Sequence, residues 1–293
     1  MTSPSTFRQY ARVMQHFASA RALEVLVLQA SPILGSFRAG FILERASVIR
    51  LGLLLIGSLA LTAHVFVFND WAGHSSDILT PRRATVVFAR RGISRRQVAY
   101  VATALLIFAN VAFAAVGRRA VLLGAAIAVL SLLYSSSPTL GKSSPIVASI
   151  NHLLGGALLF LLGYTLFRRF DASGVLISLF FGLVFAGGHL NQEVRDYEGD
   201  LLNGIRTSAV VFGCRRTFFA SLLTFTAAYA LLAGLAALGI LPRLLLWSPI
   251  LWLLQMVWSL RALQRGLGFE TALWMQRRYR FLFAFIGLAM LVL

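Results

Sequence analysis

The chain has 293 residues, of which 58% are apolar and only 13% are Asp, Glu, Lys or Arg. A soluble domain averages about 45–50% apolar and about 25% charged, so an ordinary soluble globule, a disordered tail and a fibrous protein are excluded. The net charge of +17 would suit nucleic acid, but the arginines lie scattered between apolar runs, as in the loops of polytopic membrane proteins.

Nine apolar stretches follow in chain order, near 21–37, 46–71, 98–116, 120–135, 145–167, 172–194, 218–241, 244–260 and 275–293. Each is about as long as a bilayer-spanning helix requires and too long for a barrel strand, and none alternates polar with apolar. The expected fold is therefore all-α, a polytopic bundle of about nine transmembrane helices forming one domain over residues 1–293. The first stretch is the weakest, because Glu24, Gln29 and Pro32 interrupt it. The longest break is the loop 72–97. Residues 1–20 carry Arg8 and Arg12 and no apolar core, so no cleavable signal peptide is expected. Cys214 is the only cysteine, which excludes an intramolecular disulfide and a cysteine-rich metal centre.

Nine spans divide the loops into two sets. One set, with the N-terminus, holds 19 of the 27 basic residues, including Arg82, Arg83, Arg90, Arg91, Lys142 and Arg206; the other holds eight, among them Arg50, Arg118 and Arg119. The positive-inside rule makes the first set cytoplasmic. Lys142 is the only lysine. Arg-heavy, Lys-poor usage is compatible with a GC-rich bacterial genome, so a bacterial inner membrane is the expected location, with the site on its cytoplasmic side.

Only ten residues are acidic, and six of them gather at two helix ends. Asp70 and Asp77 close the second stretch in the run Asn69-Asp70-Trp71-Ala72-Gly73-His74-Ser75-Ser76-Asp77. Glu193, Asp196, Glu198 and Asp200 close the sixth. If helical, Asp70 and Asp77 share a face two turns apart, and Asp196 and Asp200 share one a single turn apart. Acids placed at membrane helix ends are costly unless partnered or functional. Two such clusters on one side suit Mg²⁺, which takes one or two carboxylates and completes its shell with water and phosphate oxygens. The implied chemistry is diphosphate binding and activation.

At these residues the chain resembles the UbiA superfamily of intramembrane prenyltransferases. The second motif reads Asp196-Tyr197-Glu198-Gly199-Asp200, then Gly204-Ile205-Arg206-Thr207, then Val210-Val211-Phe212-Gly213. Its Glu198-Gly199-Asp200 run is similar to the homogentisate and chlorophyll-type branches. The stretch Gly92-Ile93-Ser94, the segment from Tyr134 to Lys142 and the nine-span plan also fit. One departure stands out: Gly73 occupies the place of the middle Asp in the first motif. Asp70 lies about 60° around a helix from that position.

The resemblance implies a Mg²⁺-dependent transfer of an isoprenyl group from a prenyl diphosphate to an aromatic or other lipophilic acceptor, with release of diphosphate, as in quinone and pigment synthesis. Asn69, Asp77, Asp196 and Asp200 would hold Mg²⁺, with Asp70 secondary. Lys142, Arg82, Arg83 and Arg206 would contact diphosphate oxygens. Tyr134, with Phe66, Phe68, Trp71 and Tyr197, is a candidate to face the allylic cation. A terpene cyclase on the same scaffold and a non-enzymatic transporter are the alternatives. His74 reads mainly as a surface-loop histidine, Asn151, His152, His189 and Asn191 mainly as polar packing, and Gly155-Gly156 and Gly187-Gly188 as sites of close helix approach.

Overall fold

The computed structural model describes residues 4–74, 88, 92–137 and 139–292. It contains α1 (Pro4–Leu28), α2 (Ala30–Arg38), α3 (Arg45–Ala72), α4 (Arg95–Val116), α5 (Arg118–Ser136), α6 (Pro145–Tyr164), α7 (Ala172–Leu202), α8 (Ser208–Phe212), α9 (Cys214–Ala237), α10 (Ser248–Arg265) and α11 (Phe269–Ala289), with a 3-10 turn at Arg243–Trp247. No strand occurs among the described residues. Every predicted apolar stretch falls on a helix. Among the described residues, eight segments are long and apolar enough to cross a membrane. The ninth, α11, carries Glu270, Arg277, Arg278 and Arg280 and is less apolar. The first predicted stretch spans two helices, α1 and α2, joined at Gln29, whose side-chain amide donates to Val25 O and Thr62 Oγ1.

Contacts across the bundle set the helix directions. His74, after α3, meets the carbonyl of Ile93, before α4. Tyr134, near the end of α5, meets His152 in α6 and His189 in α7. At the opposite end Arg50, near the start of α3, donates to Leu166 O, just after α6. The C-terminal ends of α3, α5 and α7 therefore lie at one end of the bundle, so both acidic motifs share that end.

The apolar core differs along the bundle. One large cluster joins α2, α3, α4, α5, α6, α7, α9 and α11 through residues such as Leu34, Leu54, Phe113, Phe160, Phe180 and Tyr229. Two smaller clusters of buried residues flank it, the first joined to it through half-buried Leu105. One joins α1, α3 and α4 around Val13, Val67 and Val98 beside the first motif. The other joins α7, α9, α10 and α11 around Val194, Phe218 and Met275 beside the second. The core thus divides between the two acidic helix ends.

Small residues govern the closest helix approaches, as they do within membranes. A side chain on Gly35 or Gly163 would run into the backbone of Phe160 or Pro32, which locks α2 against α6. Of the two predicted glycine pairs, one member each is close-packed: Gly156 against Phe181 and Phe185, and Gly187 against the Phe225 ring; Gly155 faces open space.

Candidate active site

The first motif ends α3. The helix stops at Ala72, and Gly73 caps it, donating its N–H to Asn69 O at 2.9 Å. The helix thus ends before Asp77, the other member of the alignment expected for Asp70, and Asp77 lies outside the described residues. Gly and Ser are poor helix formers, and Gly73, Ser75 and Ser76 follow one another closely here. Asp70 is approached by Arg21 of α1 at 3.4 Å, and Arg21 also pairs with Glu24 at 3.0 Å. Asn69 is half-buried. Asp77, Arg82 and Arg83 lie outside the described residues.

The second motif lies inside the last turns of the 31-residue α7. Asp200 is 6% exposed. Arg195 grips its neighbour Asp196 with two bonds, Nε to Oδ1 at 2.9 Å and Nη2 to Oδ2 at 2.8 Å, and donates Nη1 to Gln276 Oε1 of α11 at 2.7 Å. The helix ends in a Schellman turn: Ile205 N–H returns to Asp200 O and Gly204 N–H to Leu201 O. Gly204 has φ +65°, a left-handed conformation that costs other residues about 1–2 kcal/mol. Ile205 is buried beneath the turn. The reversal carries α8 back along α7, so that Ser208 N–H donates to Glu193 Oε2 at 3.0 Å. The Gly-Ile-Arg-Thr pattern thus has a physical reading, a helix stop followed by a folded-back turn. Arg206 is exposed on that turn.

A polar ring cluster, buried at His189 and half-buried at His152 and Tyr134, links these elements. The rings of His152 and His189 lie parallel with centroids 3.7 Å apart. Tyr134 stands edge-on to both, at 4.9 and 6.0 Å. His189 Nε2 is 3.1 Å from Glu193 Oε1. Tyr134 is held near Lys142, whose N–H donates to the Tyr134 carbonyl at 2.9 Å. This turn depends on Gly141, where any side chain would overlap the carbonyls of Ser137 and Tyr134.

The structure thus brings Tyr134, Lys142, Asp196 and Asp200 to the end of the bundle that holds Asn69 and Asp70. The aromatic candidates separate. Phe66 and Trp71 already face guanidinium groups, Arg21 at 5.5 Å and Arg95 at 4.4 Å, whereas Tyr134 faces the histidines. Asn191 donates to Ala272 O and Asn151 to Leu130 O, as expected for polar packing. Among the described residues no group of three or more His, Cys, Asp or Glu side chains is clustered closely enough to hold a metal alone. Three residues escape a reading of motifs, Arg195, Arg21 and Gln276, and the structural role of Glu193 was not read from its place in the acidic cluster. The i,i+4 spacing of His189 and Glu193 was a readable signal; the pairing of Arg21 with Asp70, 49 positions apart, was not.

Comparison with known proteins now joins this geometry. A search of curated proteins found no match. Among solved structures, a UbiA homologue from Archaeoglobus fulgidus bound to GPP and Mg²⁺ superposes with a TM-score of 0.72 at 18% identity, covering 97% of this chain and 100% of that one. The same homologue bound to DMAPP and Mg²⁺ gives 0.70 at 19% identity, covering 92% and 97%. The apo UbiA homologue from Aeropyrum pernix K1 gives 0.66 at 20% identity, covering 87% and 94%. At such identities the likeness establishes the fold. The profile of the UbiA prenyltransferase family matches residues 34–291, nearly the whole chain, and the protein belongs to that family.

Proposed function

We propose that the protein is a Mg²⁺-dependent intramembrane prenyltransferase that moves an isoprenyl group from a prenyl diphosphate to a lipophilic, aromatic acceptor and releases diphosphate. The observation that carries this reading is the placement of Asp196 and Asp200, one turn apart on α7, at the bundle end shared with Asn69 and Asp70, where the apolar core divides. Prenyl diphosphates and Mg²⁺ are held by the Archaeoglobus homologue.

The donor set is all oxygen, which suits Mg²⁺. Asn69, Asp196 and Asp200 are the described candidates to hold it, and Asp77 completes the set in sequence. Asp196 remains suited although Arg195 covers both its oxygens, because each carboxylate oxygen has a second lone pair. When bound, Mg²⁺ neutralises charge on the diphosphate leaving group. Asp70 supports the first motif from beside Gly73. Lys142, with Arg82, Arg83 and Arg206, supplies cations to the diphosphate oxygens. The Tyr134 ring offers a π face to the allylic cation. The divided core receives the isoprenoid chain, and the surrounding helices keep bulk water from the cation. The excess of arginine on the loops at this end supports a cytoplasmic orientation, and the arginine-rich composition a bacterial inner membrane. The family's quinone and pigment syntheses are the pathway class we expect.

The test is diphosphate release by the purified protein, with geranyl, farnesyl, geranylgeranyl and longer diphosphates, with and without Mg²⁺ and phenolic acceptors. Asp196→Ala/Asp200→Ala is the control. Mg²⁺-dependent release that needs an acceptor and is lost in the control is the expected result. Release with a hydrocarbon product and no acceptor would replace transfer with cyclisation. No release from folded protein with any diphosphate would sink the enzymatic reading.

A further inference from the structure

The end of the bundle remote from both acidic motifs holds a second polar site. A concavity of about 280 Å³ opens there between the first turns of α3, the start of α5 and the end of α6, and Arg50, Gly117, Arg118, Arg119 and Thr165 line it. None of its lining residues is acidic. Arg50 is fixed in place by a 3.0 Å bond from Nη2 to Leu166 O and by the Phe167 ring, 5.7 Å from its guanidinium. A guanidinium has more donors than that one bond uses.

Helix α5 begins at Arg118, just after Gly117, whose φ of 140° holds it out of the helix; no side chain caps the helix and no acid occupies its first turn. The N–H groups of Ala120 and Val121 return to the Gly117 carbonyl, which leaves those of Arg118 and Arg119 at the open end of the helix. Arg118 and Arg119 stand at the positive end of the helix dipole, where a cation is unfavourable and an anion favourable. Two other arginines on this face have partners: Arg168 pairs with Asp171 at 2.7 Å, and Arg38 donates to Ile240 O at 3.1 Å.

A separate observation points to a ligand. Thr165 lines the same concavity, is 5% exposed, and its buried hydroxyl has no hydrogen-bond partner. A buried hydroxyl left unpaired costs free energy, and one beside three arginines and a helix start is suited to donate to an anion.

We propose that this concavity binds the phosphate of an anionic ligand, a phospholipid headgroup or free phosphate, through Arg50, Arg118, Arg119, the α5 N-terminus and the Thr165 hydroxyl. Phosphate offers several acceptor oxygens to converging donors, and guanidinium groups and helix N-termini are its usual partners. The site lies at the ends of apolar spans, the depth at which headgroups sit. It is independent of the catalytic reading, because it shares no residue with it.

The experiment uses the full-length protein in neutral detergent with two probes. Native mass spectrometry measures retention of phosphatidylglycerol against phosphatidylcholine, and thermal unfolding measures stabilisation by inorganic phosphate against chloride at matched ionic strength. Arg118→Gln/Arg119→Gln alters exposed residues and leaves the core intact. Arg45→Gln/Arg243→Gln, on the same face outside the concavity, is the charge-matched control. We expect at least tenfold weaker binding in the first double variant, several-fold weaker binding in Thr165→Val, and wild-type binding in the control. Selective phosphatidylglycerol retention identifies a headgroup site; stabilisation by phosphate alone identifies a free-anion site. Equal losses in the two double variants, or binding of neither probe, overturns the proposal. Prenyl diphosphate affinity should be unchanged in all three variants.

Discussion

The two acidic motifs sit at the same end of the bundle but are built differently. The second is part of a long helix secured at both ends. Asp171 caps its start by accepting from Gly174 N–H at 2.7 Å, and the Schellman turn closes its finish. Glu193 ties α8 to it, and Arg195 ties it to α11 through Gln276. The first motif straddles the stop of α3 at Gly73, with Asp70 approached by Arg21 at 3.4 Å. In one motif the carboxylates are pre-positioned by packing. In the other, Asp70 stands in the last turn of a helix that ends at Ala72. Under the proposed function, α7 would supply the fixed half of the Mg²⁺ site and the end of α3 the other half.

The strongest way to test that contrast is to remove one carboxylate from each motif. Asp200→Asn should lower diphosphate release by more than about 100-fold, since even residues that only support metal ligands cost about 10–100-fold. Asp70→Asn should cost less than about tenfold, because its carboxylate flanks the place where a ligand is missing. Equal losses in steady-state assays would show that the motifs contribute alike.

Gly73→Asp sharpens the comparison from the other side. A carboxylate restored at that place should lower the Mg²⁺ concentration giving half-maximal activity by several-fold. A higher Mg²⁺ requirement would mean that the helix stop itself is needed. The variant also loses little stability by backbone geometry, because Gly73 has φ −84°, which any residue adopts.

Glu193→Ala tests the packing of the second motif without touching a proposed ligand. It leaves Ser208 N–H unpaired in the interior, at a cost of about 1–3 kcal/mol, and should lower the thermal midpoint in detergent. Glu193→Gln keeps an acceptor for Ser208 and should recover part of the loss.

The smallest effect is expected at Asp171, at the opposite end of α7. Its carboxyl is held below the ordinary carboxylate range, first by the Gly174 N–H and also by Tyr164 and Arg168. A depressed folded pKa stabilises above the unfolded value, about 3.9, and that contribution disappears as pH falls through the lower folded value. Asp171→Ala should cost about 1 kcal/mol at neutral pH. The gap from wild type should narrow on acidification below about pH 4, as read by melting curves.

The placement of the candidate residues was legible from residue order: Asn69, Asp70, Asp196 and Asp200 lie near helix ends, as the apolar runs before them indicated. The Gly204-Ile205 pair marked the stop of α7. Long-range partners were not legible: Arg21 with Asp70, Arg195 with Gln276, Gly35 with Gly163. These contacts join segments far apart in sequence, and periodicity carries no record of which helix faces which. The stop of α3 at Ala72 was hidden for another reason, since the apolar run ended there while the motif continued past it.

By itself the sequence determined a multi-span helical membrane protein with two acidic helix ends on one side. The bilayer leaves apolar segments of this length little choice but helix, and span parity decides which ends coincide. Only the tertiary structure decided that the apolar core divides between those ends, that His152, His189 and Tyr134 stack together, and that Arg50, Arg118, Arg119 and Thr165 share one concavity. Each of these depends on helix rotation and crossing, which side-chain packing between distant segments sets and local pattern does not.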